Sequence, residues 1–222
     1  MGAFYPFSRS HNALGSAPQE LYLWETVTEA AQKALGMRYR LLPYLYSLFY
    51  SAHNDGAMVA RPLWANFPSD PSALSIDRQF MLGSAILVSP VLDQGVTTCT
   101  AYFPKGFWYS LSTLSLAIDA SEAGFTTELS APLTDINVHI YGGNVLPMQG
   151  EAMTTEQSRK SPFTLVVALC PGGKASGNLY WDDGEQVKIH ESKCFGILTI
   201  LTFNIYSNFL KLHSSYFPYI KL

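Results

Sequence analysis

Seventeen carboxylates give this 222-residue chain its main candidates for acid–base chemistry. A hydrolytic mechanism that uses two carboxyl groups needs both of them to face one substrate, roughly 5–10 Å apart. The only adjacent pair is Asp182-Asp183. Neighbouring strand residues point to opposite faces, and Gly184 follows, so the pair predicts a hairpin turn. Asp77 and Glu122 have no partner at a recognisable spacing, and the residues alone therefore predict no acid–base couple.

Five histidines could act as bases or metal ligands, and none lies three or four residues from another. They are His11, His53, His139, His190 and His213. Without paired ligands, the sequence predicts neither a metal site nor a cofactor site. His53 ends a helical pattern, where it suits the negative end of the helix dipole, and His139 lies in a strand pattern. His11 differs because it lies in a loop, and loops carry functional residues more often than strands do.

The three cysteines do not indicate redox or zinc chemistry. Cys99, Cys170 and Cys194 are an odd number at wide spacing, which predicts small buried apolar side chains. The chain also has no Gly-x-Ser-x-Gly turn and no glycine-rich phosphate loop.

Composition narrows the class of protein further. Charged residues make up 14% of the chain and hydrophobic residues 48%, whereas a typical soluble domain is about 25% charged. The net charge of −3 excludes a basic surface for nucleic acid, and the hydrophobicity excludes intrinsic disorder. No apolar run predicts a membrane span, and the N-terminal residues do not resemble a signal peptide. Few charges and many aromatic residues indicate surfaces that are covered by another structure.

Helical spacing of apolar residues follows a loop-like segment, residues 1–19. Thr26 and Glu29 fit a capping box at the start of the helix, and Asn54-Asp55-Gly56 predicts its end. Pro43 lies inside this pattern and predicts a kink or a break near Leu41–Pro43, because proline cannot donate to the helical ladder.

Short apolar runs replace the helical pattern after Gly56. Val59–Phe67 predicts a strand and Ile76–Leu82 a short helix. Runs at about 8–12-residue spacing then favour a β-sandwich. Its strands are expected at Ala85–Val91, Thr97–Phe103, Phe107–Leu111, Phe125–Leu129, Ile136–Tyr141 and Val145–Gln149. Pro104-Lys105-Gly106 predicts a hairpin between the second and third of these.

A second β unit is expected after a polar linker, Gly150–Ser161. Phe163–Cys170 and Gly177–Trp181 are its first strands. Beyond Glu191 the chain has no acidic residue; Ile197–Phe203 fits a strand, and Ser207–Leu222 fits no pattern. We expect this tail to come from an aberrant or truncated reading frame.

Several ordered motifs resemble those of glycoside hydrolase family 31, the α-glucosidase, acid maltase and maltase-glucoamylase group. They are Gly2-Ala3-Phe4-Tyr5-Pro6-Phe7-Ser8-Arg9-Ser10-His11-Asn12, Arg38-Tyr39-Arg40-Leu41-Leu42-Pro43-Tyr44-Leu45-Tyr46, Ala60-Arg61-Pro62-Leu63, Leu87-Val88-Ser89-Pro90-Val91, Asp135-Ile136-Asn137-Val138-His139 and Tyr180-Trp181-Asp182-Asp183-Gly184. The resemblance covers residues 1 to about 191.

The resemblance implies an α+β fragment with three parts and a divergent tail, 192–222. Residues 1–82 would be the end of a (β/α)8 barrel, a long helix plus the last strand. Residues 83–152 would be the proximal antiparallel β-sandwich, and 153–191 the start of a distal β-domain.

The resemblance also implies a retaining glycosidase that hydrolyses terminal α-linked glucose, with an α-glucoside or maltooligosaccharide as substrate. The family's nucleophile and acid/base motifs, both Asp, do not occur here, so the chain alone is expected to be inactive. His11 matches the family histidine that contacts the sugar, although Ser10 replaces the usual Asn before it. Family members usually pass through the secretory pathway to lysosomal or extracellular sites, and the compartment of this chain is left open.

Two other hypotheses stay open. The chain could be a non-catalytic module that binds a glycan or another chain through exposed aromatic residues; Trp108, Tyr109 and Trp181 are the candidates. It could also be a gene fragment that does not fold stably, because unpaired strand edges and apolar faces would be exposed.

Overall fold

A computed structural model describes residues 1–184, 199–206 and 209–214, the last two ranges as backbone only. The helices are α1 (Glu25–Arg40), α2 (Leu42–Asp55), α3 (Leu63–Asn66) and α4 (Thr155–Arg159). The strands are β1 (Ala60–Arg61), β2 (Phe80–Leu82), β3 (Ile86–Ser89), β4 (Thr98–Phe103), β5 (Gly106–Ser110), β6 (Leu116–Ala120), β7 (Phe125–Ser130), β8 (Asn137–Tyr141), β9 (Asn144–Met148), β10 (Thr164–Ala168), β11 (Lys174–Trp181), β12 (Thr199–Tyr206) and β13 (Phe209–Ser214). Among these residues, no helix has both the length and the apolar character that crossing a bilayer requires.

The predicted capping box is wrong. Helix α1 begins at Glu25 after Trp24, which makes no side-chain cap. The Thr28 hydroxyl instead donates to the carbonyl oxygens of Leu21 and Trp24, 3.0 Å away in each case. Glu29 pairs with Lys33, one turn further along the helix, at 3.0 Å. Thr26, the residue predicted as the N-cap, lies inside α1, and Glu29 pairs with Lys33, so the two do not form a capping box.

The break at Pro43 is confirmed. Helix α1 ends at Arg40, and α2 starts at Leu42 with Pro43 in its first turn, where a missing N–H costs nothing. Gly56 ends α2 with a φ of 69°, as the Asn-Asp-Gly signal predicts. The helical region is thus two helices of 16 and 14 residues.

Two predictions for residues 59–82 are wrong. Within the predicted strand Val59–Phe67, only Ala60–Arg61 is a strand, because Pro62 follows and leads into the short helix α3. The expected helix over 76–82 contains strand β2, which pairs with β3. Met81 and Leu82 are both buried, on opposite faces of the sheet. The segment therefore lacks the alternation of apolar and polar residues that identifies a strand in a sequence.

The central layer is a six-stranded sheet in the order β1-β2-β3-β8-β5-β6. One face packs against Phe4 and residues Leu41–Leu45 of the helical region, through residues such as Ile86 and Ile140. The opposite face packs against the β4–β7 pair, with Trp108 and Phe103 in contact at a ring-centroid distance of 5.8 Å. The sheet is therefore covered on both sides, by helices on one and by two strands on the other.

The hairpin predicted at Pro104-Lys105-Gly106 is wrong, although both strands beside it exist. Strand β4 pairs with β7, and β5 pairs with β6 and β8. The three residues thus connect two different sheets. The sequence did not predict strand β6, which pairs with β5.

The remaining strands form a sheet in the order β10-β9-β11-β12-β13. Strand β9 pairs with β10 and bridges to β11, so backbone pairing crosses the 152/153 boundary expected from the resemblance. Residues 150–161 contain no strand, as predicted, but include α4. Strands β12 and β13 extend the sheet into the tail, and Phe209–Ser214 is a strand in a segment for which the sequence predicted none. The rest of residues 192–222 lies outside the described residues.

Candidate functional site

The loop that carries His11 is hydrogen-bonded to α1 through the first residues of the loop. A short 3-10 turn, Gly2–Phe4, places Phe4 in the core beneath the helices. The Arg38 guanidinium donates to three loop carbonyls, those of Ala3 (2.6 Å), Tyr5 (2.6 Å) and Pro6 (3.0 Å). Burial lowers the pKa of Arg38 from its usual value. Because the guanidinium is planar and rigid, these three bonds hold the first residues of the loop in a fixed position against α1.

The second half of the loop is closed by two amide side chains. Gln19 donates through Nε2 to the His11 carbonyl, and Asn12 donates through Nδ2 to the Ala17 carbonyl. His11 itself is exposed, and its imidazole has no hydrogen-bond partner within the described residues. The side chain is therefore free to donate a hydrogen bond to an incoming hydroxyl, or to accept one.

Large apolar side chains in this loop and in the residues that follow it are open to solvent. Phe7 is 76% exposed, Tyr22 75% and Trp24 52%. A monomeric soluble protein rarely exposes apolar residues in such a cluster without a partner. The structure thus agrees with the expectation from composition that this end of the chain has a surface that another structure covers.

The loop holds one candidate site residue and no catalytic pair. An imidazole can bind a sugar hydroxyl, but retaining hydrolysis needs two carboxyl groups about 5–5.5 Å apart. Within the described residues, no group of three His, Cys, Asp or Glu side chains is arranged to hold a metal ion. The only chemistry this loop can perform by itself is hydrogen bonding to a ligand.

The other histidines play different parts. His139 is buried with its ring edge-on to Phe103, at a centroid distance of 4.9 Å, and its Nδ1 atom has no hydrogen-bond partner. Burial lowers the pKa of His139 to about 4. His53 is exposed in the last turn of α2, the position expected for a dipole partner. His190 lies outside the described residues, and only the backbone of His213 is described.

Asp182 has a structural role that the sequence did not reveal. A local turn is present, since the Gly184 N–H donates to Asp182 Oδ1 at 2.9 Å and Gly184 has a φ of 77°. The residues that would complete the predicted hairpin, 185–198, lie outside the described residues. However, the carboxylate is buried and also accepts from the Tyr46 and Tyr180 hydroxyls, each at 2.8 Å to Oδ2. The Arg159 Nη2 atom lies 3.7 Å from Asp182 Oδ1. Asp182 thereby joins α2, α4 and β11, which is a structural role.

The aromatic residues proposed to stack on a glycan are used in packing. Trp108 is fully buried and donates from Nε1 to the Pro104 carbonyl at 2.8 Å. The Tyr109 hydroxyl donates to the Leu169 carbonyl at 2.9 Å. Trp181 lies between the Arg159 guanidinium, 4.0 Å from its ring centre, and the Phe163 ring at 4.9 Å. Trp108 is therefore not available as a sugar platform, and Tyr109 and Trp181 are half-buried against protein groups.

Two family models match the chain in order. Residues 1–48 match the glycosyl hydrolases family 31 TIM-barrel domain, and residues 56–146 match the glycosyl hydrolase family 31 C-terminal domain. The boundary between them falls at Gly56, where α2 ends.

Curated relatives agree with the family models. The chain is 55% identical over 186 residues to a probable alpha-glucosidase of Oryza sativa subsp. japonica, covering 84% of this chain and 21% of the relative. It is 47% identical over 224 residues to the lysosomal alpha-glucosidase of Rattus norvegicus, covering 94% of this chain and 23% of the relative. The chain therefore spans about a fifth of the length of the relatives it matches.

Solved structures give the same family. The glucosidase II alpha subunit bound to alpha3-Glc2 superposes with a TM-score of 0.88 at 31% identity, covering 96% of this chain and 23% of that one. The two family models, the relatives and this structure agree on one assignment: the chain belongs to glycoside hydrolase family 31.

Proposed function

We propose that this chain is the C-terminal portion of a retaining family 31 α-glucosidase, which hydrolyses terminal α-linked glucose in maltose-like substrates. The observation that carries the proposal is the loop held by Arg38, which presents His11 from the segment that matches the family's barrel domain. Support also comes from the relatives, since both the rice and the rat proteins are named alpha-glucosidases.

His11 is proposed to contact the sugar at the cleavage subsite. Its imidazole is exposed and has no partner among the described residues, while the loop backbone on both sides of it is bonded. An imidazole nitrogen on this bonded loop can accept a hydrogen bond from a sugar hydroxyl, and that bond strengthens as positive charge on the sugar ring makes the hydroxyl more acidic. His11 would thus act in binding and in stabilising the transition state, and the proton transfers would belong to two Asp residues outside this sequence.

The three-part organisation is proposed on the same basis. Residues 1–82 would be the end of the (β/α)8 barrel, and the exposed face around Phe7, Tyr22 and Trp24 would pack against the rest of it. Residues 83–152 would form the proximal sandwich, which the packing of the β4–β7 pair on the six-stranded sheet supports. Residues 153–191 would begin the distal domain.

The purified 222-residue chain is expected to show no turnover of maltose or of p-nitrophenyl α-glucoside. Loss of a single catalytic residue in a hydrolase commonly costs several orders of magnitude in rate, and here the motifs that carry both carboxyl groups are absent. The measurement is release of glucose or nitrophenolate at pH 4.5 and pH 7 against a heat-treated sample. Hydrolysis above that control would show that the chain has a catalytic pair of its own, and would overturn this part of the proposal.

A further inference from the structure

A cavity of about 670 Å³ lies between α1, the residues that follow β5, and the segment that leads into β8. Its floor is apolar and includes Phe4, Met37 and Leu111. Polar groups from Lys33 and Glu151 stand at its rim. Small-molecule sites commonly enclose about 300–1,000 Å³ and combine apolar walls with a few placed polar groups. The cavity has this size and this composition, and its lining does not include His11.

The Lys33 ammonium group at the rim already has ion-pair and hydrogen-bond partners. The Lys33 ammonium lies 3.0 Å from a Glu29 oxygen and 3.3 Å from Asp135 Oδ1. It also donates to the Thr134 hydroxyl at 3.2 Å. These three contacts use the three donors of the ammonium group. Lys33 is therefore not available to hold an anion in the cavity.

The carboxylate of Glu151 is different, because it has no ion-pair or hydrogen-bond partner within the described part of the chain. Its oxygens lie 2.8 and 3.2 Å from the place where a Cβ atom on Gly36 would be. Gly36 is inside α1, where glycine is less favourable than alanine. The missing side chain leaves the space in which the carboxylate lies against the helix.

The charges around the cavity thus favour a cation. Among the residues that line it, Lys33 contributes one positive charge, whereas Asp135 and Glu151 contribute two negative ones. The unpaired carboxylate is at the rim, and the apolar side chains are below it. We propose that this cavity binds a small organic ammonium compound, whose charged group pairs with Glu151 and whose apolar body packs on Phe4 and Met37.

The test compares two probes of nearly equal shape, 2-phenylethylammonium and 2-phenylethanol, by calorimetric titration of the full chain at low salt. The ammonium is expected to bind at least about fivefold more tightly than the alcohol, because a charge-assisted hydrogen bond is stronger than a neutral one. Equal affinities for the two probes, or no saturable binding of either, would overturn the proposal.

Two variants locate the charge that produces the preference. Glu151→Gln keeps the size of the side chain and is expected to remove the preference for the ammonium. Gly36→Ala keeps the charge but fills the space beside it, and should weaken ammonium binding by displacing the carboxylate. Asp77→Asn, at an exposed acid that does not line the cavity, is the matched control and should leave both affinities unchanged.

Hydrogen exchange provides a readout of position that does not depend on charge. Bound 2-phenylethylammonium should slow exchange of the α1 amides near Met37 and of the Phe4 amide, which donates to the Met1 carbonyl at 2.9 Å. The amides of β10, which does not line the cavity, should not change. Protection confined to β10 or to other regions would place the probe elsewhere and would contradict the proposal.

Discussion

Replacement of Asp182 by alanine should lower the free energy of unfolding by about 3 kcal/mol. Removal of one member of a buried charged network typically costs about 3–5 kcal/mol, because its partners are left buried and unpaired. Here the partners are the Tyr46 and Tyr180 hydroxyls and the Gly184 N–H. We choose the lower end of that range because the Arg159 side chain is 28% exposed and keeps its contact with Trp181.

The pKa values of Tyr46 and Tyr180 reflect the burial of this network. Burial, and then the hydrogen bond to Asp182, raise the pKa of Tyr46 to about 12. The same two causes, in the same order, raise the pKa of Tyr180. Asp182 also connects residues far apart in the chain, since Tyr46 is 136 residues away. Its loss should therefore weaken the attachment of β11 to α2 as well as the local turn.

Urea unfolding followed by tryptophan fluorescence measures this effect. Asp182→Asn should lose less, about 1–2 kcal/mol, because the amide oxygen still accepts one bond. Asp77→Asn, at an exposed acid, serves as the control and should stay within about 0.5 kcal/mol of the parent chain. If Asp182→Ala unfolded at the parent midpoint with an unchanged slope, the network would contribute nothing to stability.

His139 should make the chain lose stability as the pH falls from 6.5 to 4. Its pKa is about 4 in the folded chain, against a usual value of 6.5, and the cause is burial. Because the folded pKa is the lower one, the unfolded chain binds the extra proton in this window. The neutral imidazole is compatible with the fold above pH 6.5, and the stability is lost as the unfolded state gains its proton.

The size of this effect follows from the two pKa values. A shift from 6.5 to about 4 corresponds to about 3 kcal/mol once the pH has fallen to the folded pKa. The buried Nδ1 atom has no hydrogen-bond partner and the ring lies edge-on to Phe103, so no polar group offsets the cost of a charge there.

The comparison of two histidine variants isolates this contribution from that of the carboxylates. Urea midpoints would be measured at pH 7, 6, 5 and 4.5 for the parent chain, His139→Leu and His53→Gln. The parent and His53→Gln, which changes an exposed histidine, should fall steeply together, and His139→Leu should fall less. Parallel curves for all three proteins would mean that His139 titrates alike in the folded and unfolded chains.

Local signals in the sequence predicted those features that depend on one or two residues. Pro43 breaks the helical region because a proline inside a helix removes a hydrogen bond, whatever surrounds it. Gly56 ends α2 because its backbone adopts a positive φ. These effects are set by the residue itself, and neither needs knowledge of the tertiary contacts.

Features that depend on distant partners were not predictable in this way. The residues around Pro104 and Gly106 have the pattern of a hairpin. In the structure, however, β4 pairs with β7, and these two strands form a layer that packs against the sheet containing β5. Asp182 looks like a turn residue, and only the fold brings Tyr46 and Arg159 to it. The proposed sugar contact at His11 came from resemblance to a family, because a single loop histidine has no spacing pattern to identify it.

The most direct test of the central claim is activity of a chimeric enzyme. The matched segment of the rice relative, which is 55% identical to this chain, would be replaced by the corresponding residues of this chain. The rice protein would then supply the two catalytic carboxylates, and His11 would have to supply the sugar contact. The chimera should hydrolyse maltose, and His53→Ala, at an exposed histidine at the end of α2, should not alter its kcat/KM.

The decisive measurement is kcat/KM of the chimera with and without His11→Ala. Loss of one hydrogen-bond partner whose bond strengthens in the transition state typically costs about 100-fold or more in rate. We therefore expect His11→Ala to lower kcat/KM for maltose by about 100-fold, with a larger effect on kcat than on KM. An active chimera that keeps its full kcat/KM after His11→Ala would contradict the account.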